Sequence, residues 1–190
     1  MPSRRALPFV ALFAAASFVG CGGGDGVNSY HAPRAAVATA PANTGKYRLL
    51  GAMVPADEPV WFFKLSGESD ALAKHEAGFD LLLKTIRYKG EKATPDFTPP
   101  AGWSIGPGRA GLVKLTLKLP DPQLEVTLVA SGGGVEGNLD RWVKMLGNAA
   151  AAGDEARYTT KVDAAGGPVR RVDIRGNKNP SAAPMMGKGR

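Results

Sequence analysis

The sequence predicts an α+β domain: an antiparallel sheet built from hairpins with one long and one short helix packed on it, preceded by a signal peptide and a flexible tether. Three observations predict it. Apolar stretches with alternating or near-continuous patterning come in pairs joined by turn residues, as hairpins do. Two further stretches carry apolar residues at helical spacing. The order is strand–strand–helix, then strand–strand–helix–strand–strand, which suggests one sheet with both helices on the same face.

The domain is expected over residues 46–176. KYRLLGAMVP, from Lys46, reads as a strand; ADEP supplies a turn; VWFFKLSG is a second, very apolar strand. A helix is expected to start at Ser66 or Gly67, with Glu68 and Asp70 at the positive end of its dipole. Leu72, His75, Glu76, Phe79, Leu82, Leu83 and Ile86 fall near one side of it, which makes it the longest predicted element; Gly90 ends the segment. ATPDFTPPAGW is an irregular crossing. In GLVKLTLKLP, Val113, Leu115, Leu117 and Leu119 alternate with Lys114, Thr116 and Lys118, so the two sets should face opposite ways. The Pro120-Asp121-Pro122-Gln123 turn leads back into LEVTLVAS, with Leu124, Val126 and Leu128 inward.

Asn138 is a suitable N-cap for the short helix NLDRWVKML, closed by Gly147. Leu139, Trp142, Val143 and Leu146 form its apolar stripe. NAAAAGDEA reads as a loop or frayed helix. ARYTTKVD and VRRVDIRG, joined by AAGGP, form a final hairpin, and residues 177–190 carry no pattern and read as a disordered tail. About 130 residues suffice for one sizeable core.

The N-terminus carries an address. Arg4 and Arg5 precede an uncharged run over residues 6–19, too short for a membrane-spanning helix of about 20 residues but suited to the apolar region of a signal peptide. Gly20 and Cys21 follow, and Cys21 is the only cysteine in the chain, so no intramolecular disulfide can form. A small residue before a cysteine, just past such a run, resembles the lipobox of bacterial lipoproteins; Phe18 stands where that family usually has an aliphatic residue. The resemblance implies cleavage between Gly20 and Cys21 and a diacylglycerol thioether on Cys21, so a membrane anchor, with Gly22 favouring the outer membrane, facing the periplasm, over the inner. The alternative is ordinary secretion, with cleavage after residues 14–16 and a free thiol. Residues 22–45, rich in Gly, Ala and Pro, read as a tether with a coil reach of about 25–30 Å. The net charge of +7 becomes +5 without residues 1–20, compatible with anionic lipid or glycan contact.

Four stretches resemble a group of uncharacterised lipoproteins from planctomycete-type bacteria: GAMVPADEPVWFFKLSG, FDLLLKTIRY, TPPAGW and GNLDRW. The family pattern at the fourth continues with Arg and Gln where this chain has Val143 and Met145. The arrangement of pieces also resembles the Mog1/PsbP-like α+β fold. Neither resemblance implies an activity.

No catalytic constellation and no metal site is read from the sequence, and no cofactor is expected. Residues 132–137, GGGVEG, match the dinucleotide fingerprint in spacing, but the strand before them belongs to a hairpin rather than a βαβ unit, so a plain loop is the better reading. His75 with Glu76 reads as a boundary pair on an apolar helix face rather than a catalytic one. Candidate binding residues are Trp61, in the run Trp61-Phe62-Phe63, and the pair Arg141-Trp142; core packing competes with binding for both tryptophans. The expectation is a lipid-anchored envelope protein that binds a partner protein or glycan, with no specific nucleic acid. The competing class is an envelope enzyme with a carboxylate-based site that the sequence does not locate.

Overall fold

A computed structural model of the chain describes residues 43–109, 111–149 and 153–180. The expected signal peptide, Cys21, most of the expected tether and residues 181–190 lie outside the described residues. β1 (Tyr47–Val54) and β2 (Trp61–Glu68) form a hairpin, followed by α1 (Ser69–Ala73) and α2 (Glu76–Thr85). β3 (Ser104–Pro107), β4 (Val113–Lys118) and β5 (Glu125–Ala130) come next, then α3 (Gly134–Met145), α4 (Glu155–Tyr158), β6 (Thr159–Val162) and β7 (Val169–Gly176). The described strands make one antiparallel sheet in the order β3-β4-β5-β2-β1-β7-β6. The α+β class and the antiparallel sheet agree with the sequence.

The helices, however, occupy both faces. The reason lies in β1, whose residues from Arg48 to Val54 are all buried. Leu50, Ala52 and Val54 join Leu72, Phe79, Leu82 and Leu83 in one core under α1 and α2. Leu49 and Met53 join Leu139, Trp142, Val143 and Leu146 in a second core under α3, with Val172 and Ile174 of β7. A strand that is apolar on both sides must be covered on both sides.

Several local expectations change. Gly67 and Glu68 stay in β2 because they pair with Arg48 and Tyr47, so the first helix starts at Ser69 rather than at residue 66 or 67. It then breaks at Lys74 and His75 into two helices, and α3 is the longest helix instead. α3 itself begins at Gly134. Gly133 and Gly134 have φ of 98° and 60°, a left-handed turn that suits glycine. Asn138 is therefore buried inside the helix, where its amide donates to the carbonyls of Gly132 (3.0 Å) and Gly134 (2.7 Å) rather than capping the first turn. β3 is a strand where the sequence showed only irregular chain; its four residues, SIGP, carry no strand pattern.

The domain also starts before Lys46. Asn43 donates to the Asp173 carbonyl (3.0 Å) and accepts from the Arg175 amide (2.8 Å), so its side chain pairs with β7 as a neighbouring strand would. Ser69 donates to the Gly45 carbonyl (2.7 Å). At the other end, Asn177 accepts from the Lys46 amide and the Lys178 amide donates to Leu146.

On the α2 face, Arg48 is 2% exposed and held by two carboxylates. Its guanidinium donates to Glu76 through both terminal nitrogens at 2.8 Å and to Asp173 through Nε at 2.8 Å. Arg171 bridges the same Glu76 (2.6 Å) and Asp80 (2.7 Å). Hydrogen bonds from Arg48 hold the Glu76 carboxyl below its usual range against the opposing effect of burial. Burial pushes Asp173 up, but Arg48 and Arg171 more than offset it and the net shift is downward.

Candidate anion-binding groove

Among the described residues, the second half of the sheet is covered by helices on one face only. α3 lies over β1 and β7, and no described helix covers β5 and β4 on that side. Their alternation shows why. β5 places Val126 and Leu128 in the α2-side core and Glu125, Thr127 and Val129 on the open side. β4 does the same with Leu117 against Thr116 and Lys118. A β-bulge between Val113 and Leu115 reverses the facing of Val113. It pairs with Val129 and lies on the open side, not with Leu115 and Leu117 as strict alternation predicts.

The open face is a groove of about 550 Å³ that continues into a recess of about 270 Å³ beside α3. The two share Lys64, Arg109 and Thr127. Lys64 comes from β2 and pairs across the sheet with Thr127. Arg109 comes from the β3–β4 turn, held by its amide hydrogen bond to the Val113 carbonyl (3.0 Å). Arg141 enters from α3, its guanidinium bonded to the Asn138 side chain. Lys118 lines the far end. Against these four cations stands one acid, Glu125, which pairs with Arg109.

Lys64 is the focus of this arrangement. It is half-buried, and burial lowers its pKa, with the Arg141 and Arg109 charges adding to the effect. No carboxylate among the described residues acts against these effects. A desolvated cation flanked by like charges is disfavoured unless an anion arrives. Chemically, the groove can hold a carboxylate, sulfate or phosphate against Lys64 and Arg109, with Arg141 added on the recess side and Lys118 toward the far end.

The sequence-predicted candidates separate. Trp61 is 3% exposed and packs in the α2-side core, with its indole N–H lacking a hydrogen-bond partner, so it offers no binding surface. Trp142 is equally buried, its ring edge-on to Phe62 at 6.0 Å, and one side of it forms a wall of the recess. Arg141 lies on the groove. Gly20 and Cys21 fall outside the described residues. Glu76 is engaged by Arg48 and Arg171, and His75 packs beside Trp103 at 6.3 Å, so the pair forms no separate site. The glycine run follows β5, which is antiparallel to both β2 and β4, unlike the parallel strand of a dinucleotide fold. Sequence reasoning missed Lys64, Arg109 and Lys118. The signal for Lys64 was present as the one charge inside WFFKLSG.

Compared with protein-family models, curated proteins and solved structures, the chain matches none. Among the described residues no cluster of three or more His, Cys, Asp or Glu side chains could hold a metal, and no helix is long and apolar enough to cross a membrane.

Proposed function

We propose that the protein is a lipid-anchored envelope module that binds an anionic ligand in the groove of its open sheet face, without catalysing a reaction. The observation that carries the binding reading is Lys64: a half-buried ammonium, flanked by Arg109 and Arg141, while Glu125, the one acid lining the groove, is taken by Arg109 among the described residues. Such an arrangement costs stability in the free protein and is relieved by a bound anion, which is how ligand sites differ from structural ion pairs. The anchor rests on the lipobox-like run ending at Gly20-Cys21, and the likeness to planctomycete-type lipoproteins supports the same placement. A diacyl anchor embeds enough methylenes for stable attachment, at about 0.8 kcal/mol each.

The binding reading is tested on the chain from residue 22 onward, which keeps the whole described domain. Pyrophosphate should raise its melting temperature in a saturable, salt-sensitive manner, as a ligand of the native state does. A melting temperature independent of pyrophosphate, sulfate and citrate at low ionic strength contradicts the reading. The anchor is tested by intact mass of the protein isolated from a bacterial envelope. A thioether-linked diacylglycerol on Cys21 is expected; an unmodified Cys21 contradicts it.

A further inference from the structure

The groove is not uniformly polar. Its recess beside α3 is walled by Phe62, Leu112, Val113, Val129, Trp142 and Met145, while Lys64, Arg109 and Arg141 stand at its polar side. Two features place apolar surface there against the local pattern. The β-bulge turns Val113 out of the core and into the recess. Leu112, next to it, is 70% exposed, the highest value among the exposed large hydrophobics of the described residues. An apolar wall meeting three cations is complementary to one kind of molecule: a small amphiphile with an anionic head and a short hydrocarbon or aromatic body. At about 270 Å³ the recess lies just below the usual range of ligand pockets, roughly 300–1,000 Å³, so the apolar part it admits is a single short chain or one ring.

Resting on the groove being a ligand site, we propose that its ligand is a small anionic amphiphile, with a carboxylate or phosphate head between Lys64, Arg109 and Arg141 and its apolar part in the recess against Trp142, Val113 and Leu112. The occupant is a single dissolved molecule rather than a bilayer surface, because Phe62, Val113, Val129 and Trp142 line a recess on the sheet instead of a protruding face.

The test titrates octyl phosphate, below its aggregation threshold, into the chain from residue 22 onward and compares it with inorganic phosphate and with octyl glucoside. Calorimetry gives the affinities and tryptophan fluorescence reports on the Trp142 wall. Octyl phosphate should bind about tenfold or more tightly than inorganic phosphate and perturb the fluorescence, and octyl glucoside should bind far more weakly. Leu112→Ser with Met145→Ser should bring the affinity for octyl phosphate down to that for inorganic phosphate measured on the same variant. Leu112 is exposed and Met145 half-buried, and a circular dichroism melt checks that the variant stays folded. Equal affinities for octyl phosphate and inorganic phosphate overturn the amphiphile and leave the anion site standing. Equal affinities for octyl phosphate and octyl glucoside overturn the anionic head. Binding to phosphatidylglycerol vesicles with none to octyl phosphate replaces the dissolved ligand by a membrane surface and overturns the proposal. No binding of any anion removes both the proposal and the reading beneath it.

Discussion

The ring of Trp142 sits directly over Gly51: a Cβ at position 51 would lie 2.5 Å from the ring's Cζ3 atom. α3 docks on the sheet at the point where β1 has no side chain. That contact fixes the helix over β1 and β7, and so leaves β5 and β4 uncovered. The groove exists because of where this helix lands.

Trp142→Ala should destabilise the domain by about 3–5 kcal/mol, the range for a large buried aromatic. Gly51→Ala should cost about 1–3 kcal/mol by overpacking against the ring. In the double variant the added methyl no longer meets the ring, so the two losses should fall short of their sum. Denaturant melts of the four proteins measure this. Strict additivity contradicts the contact.

Asp173→Asn removes one of two carboxylates from the buried Arg48. A loss of about 3 kcal/mol is expected, at the low end for breaking a buried pair, because Glu76 keeps its hold. Glu76 and Asp173 both have carboxyl pKa values lowered by folding. Their contribution is therefore complete above the ordinary carboxylate range and is lost as pH falls through the depressed values. Melting temperature against pH should fall more steeply on the acid side for the parent than for Asp173→Asn. Parallel acid limbs would show that the cluster is not the source.

Asn43→Ala removes two part-buried hydrogen bonds to β7 and should cost about 1–2 kcal/mol. A chain starting at Lys46 should melt several degrees lower than one starting at residue 22, read by calorimetry. Identical melting temperatures would restore the boundary at Lys46 that the Gly/Ala/Pro composition suggests.

The described strands were legible wherever alternation or a continuous apolar run marked them, in β1, β2, β4 and β5. β3 was not, since Gly106 and Pro107 give it no pattern and only pairing with β4 makes it a strand. The two-sided burial of β1 was visible in the unbroken run from Leu49 to Val54, yet the helices' sides follow from connection geometry that periodicity does not encode. The groove was partly legible: Lys64 interrupts an apolar strand, and the alternation of β4 and β5 marks an open face. Arg109 carried no signal, because a turn arginine gains its place only from the Val113 hydrogen bond and Glu125. Val113 pointed the wrong way in sequence because one bulged residue inverts the alternation.

Anion affinity should weaken at alkaline pH earlier than an ordinary lysine would cause. Burial, then Arg141 and Arg109, lower the Lys64 pKa in the free protein, and Glu125 and Lys118 complete the charged groups around the groove. Only the protonated form attracts an anion, so affinity falls as pH rises through that lowered value. Titrations of pyrophosphate between neutral and alkaline pH measure it, with Lys64→Met as the reference that should lose this dependence.

The most direct measurement pairs stability and binding in Lys64→Met. Replacing a half-buried ammonium that has no ion pair among the described residues by an apolar chain of similar length should stabilise the domain by about 0.5–2 kcal/mol. The same change should weaken pyrophosphate binding by about tenfold or more. A variant that is more stable and binds poorly is the signature of a residue kept for a ligand. A Lys64→Met protein that binds pyrophosphate as tightly as the parent would contradict the account.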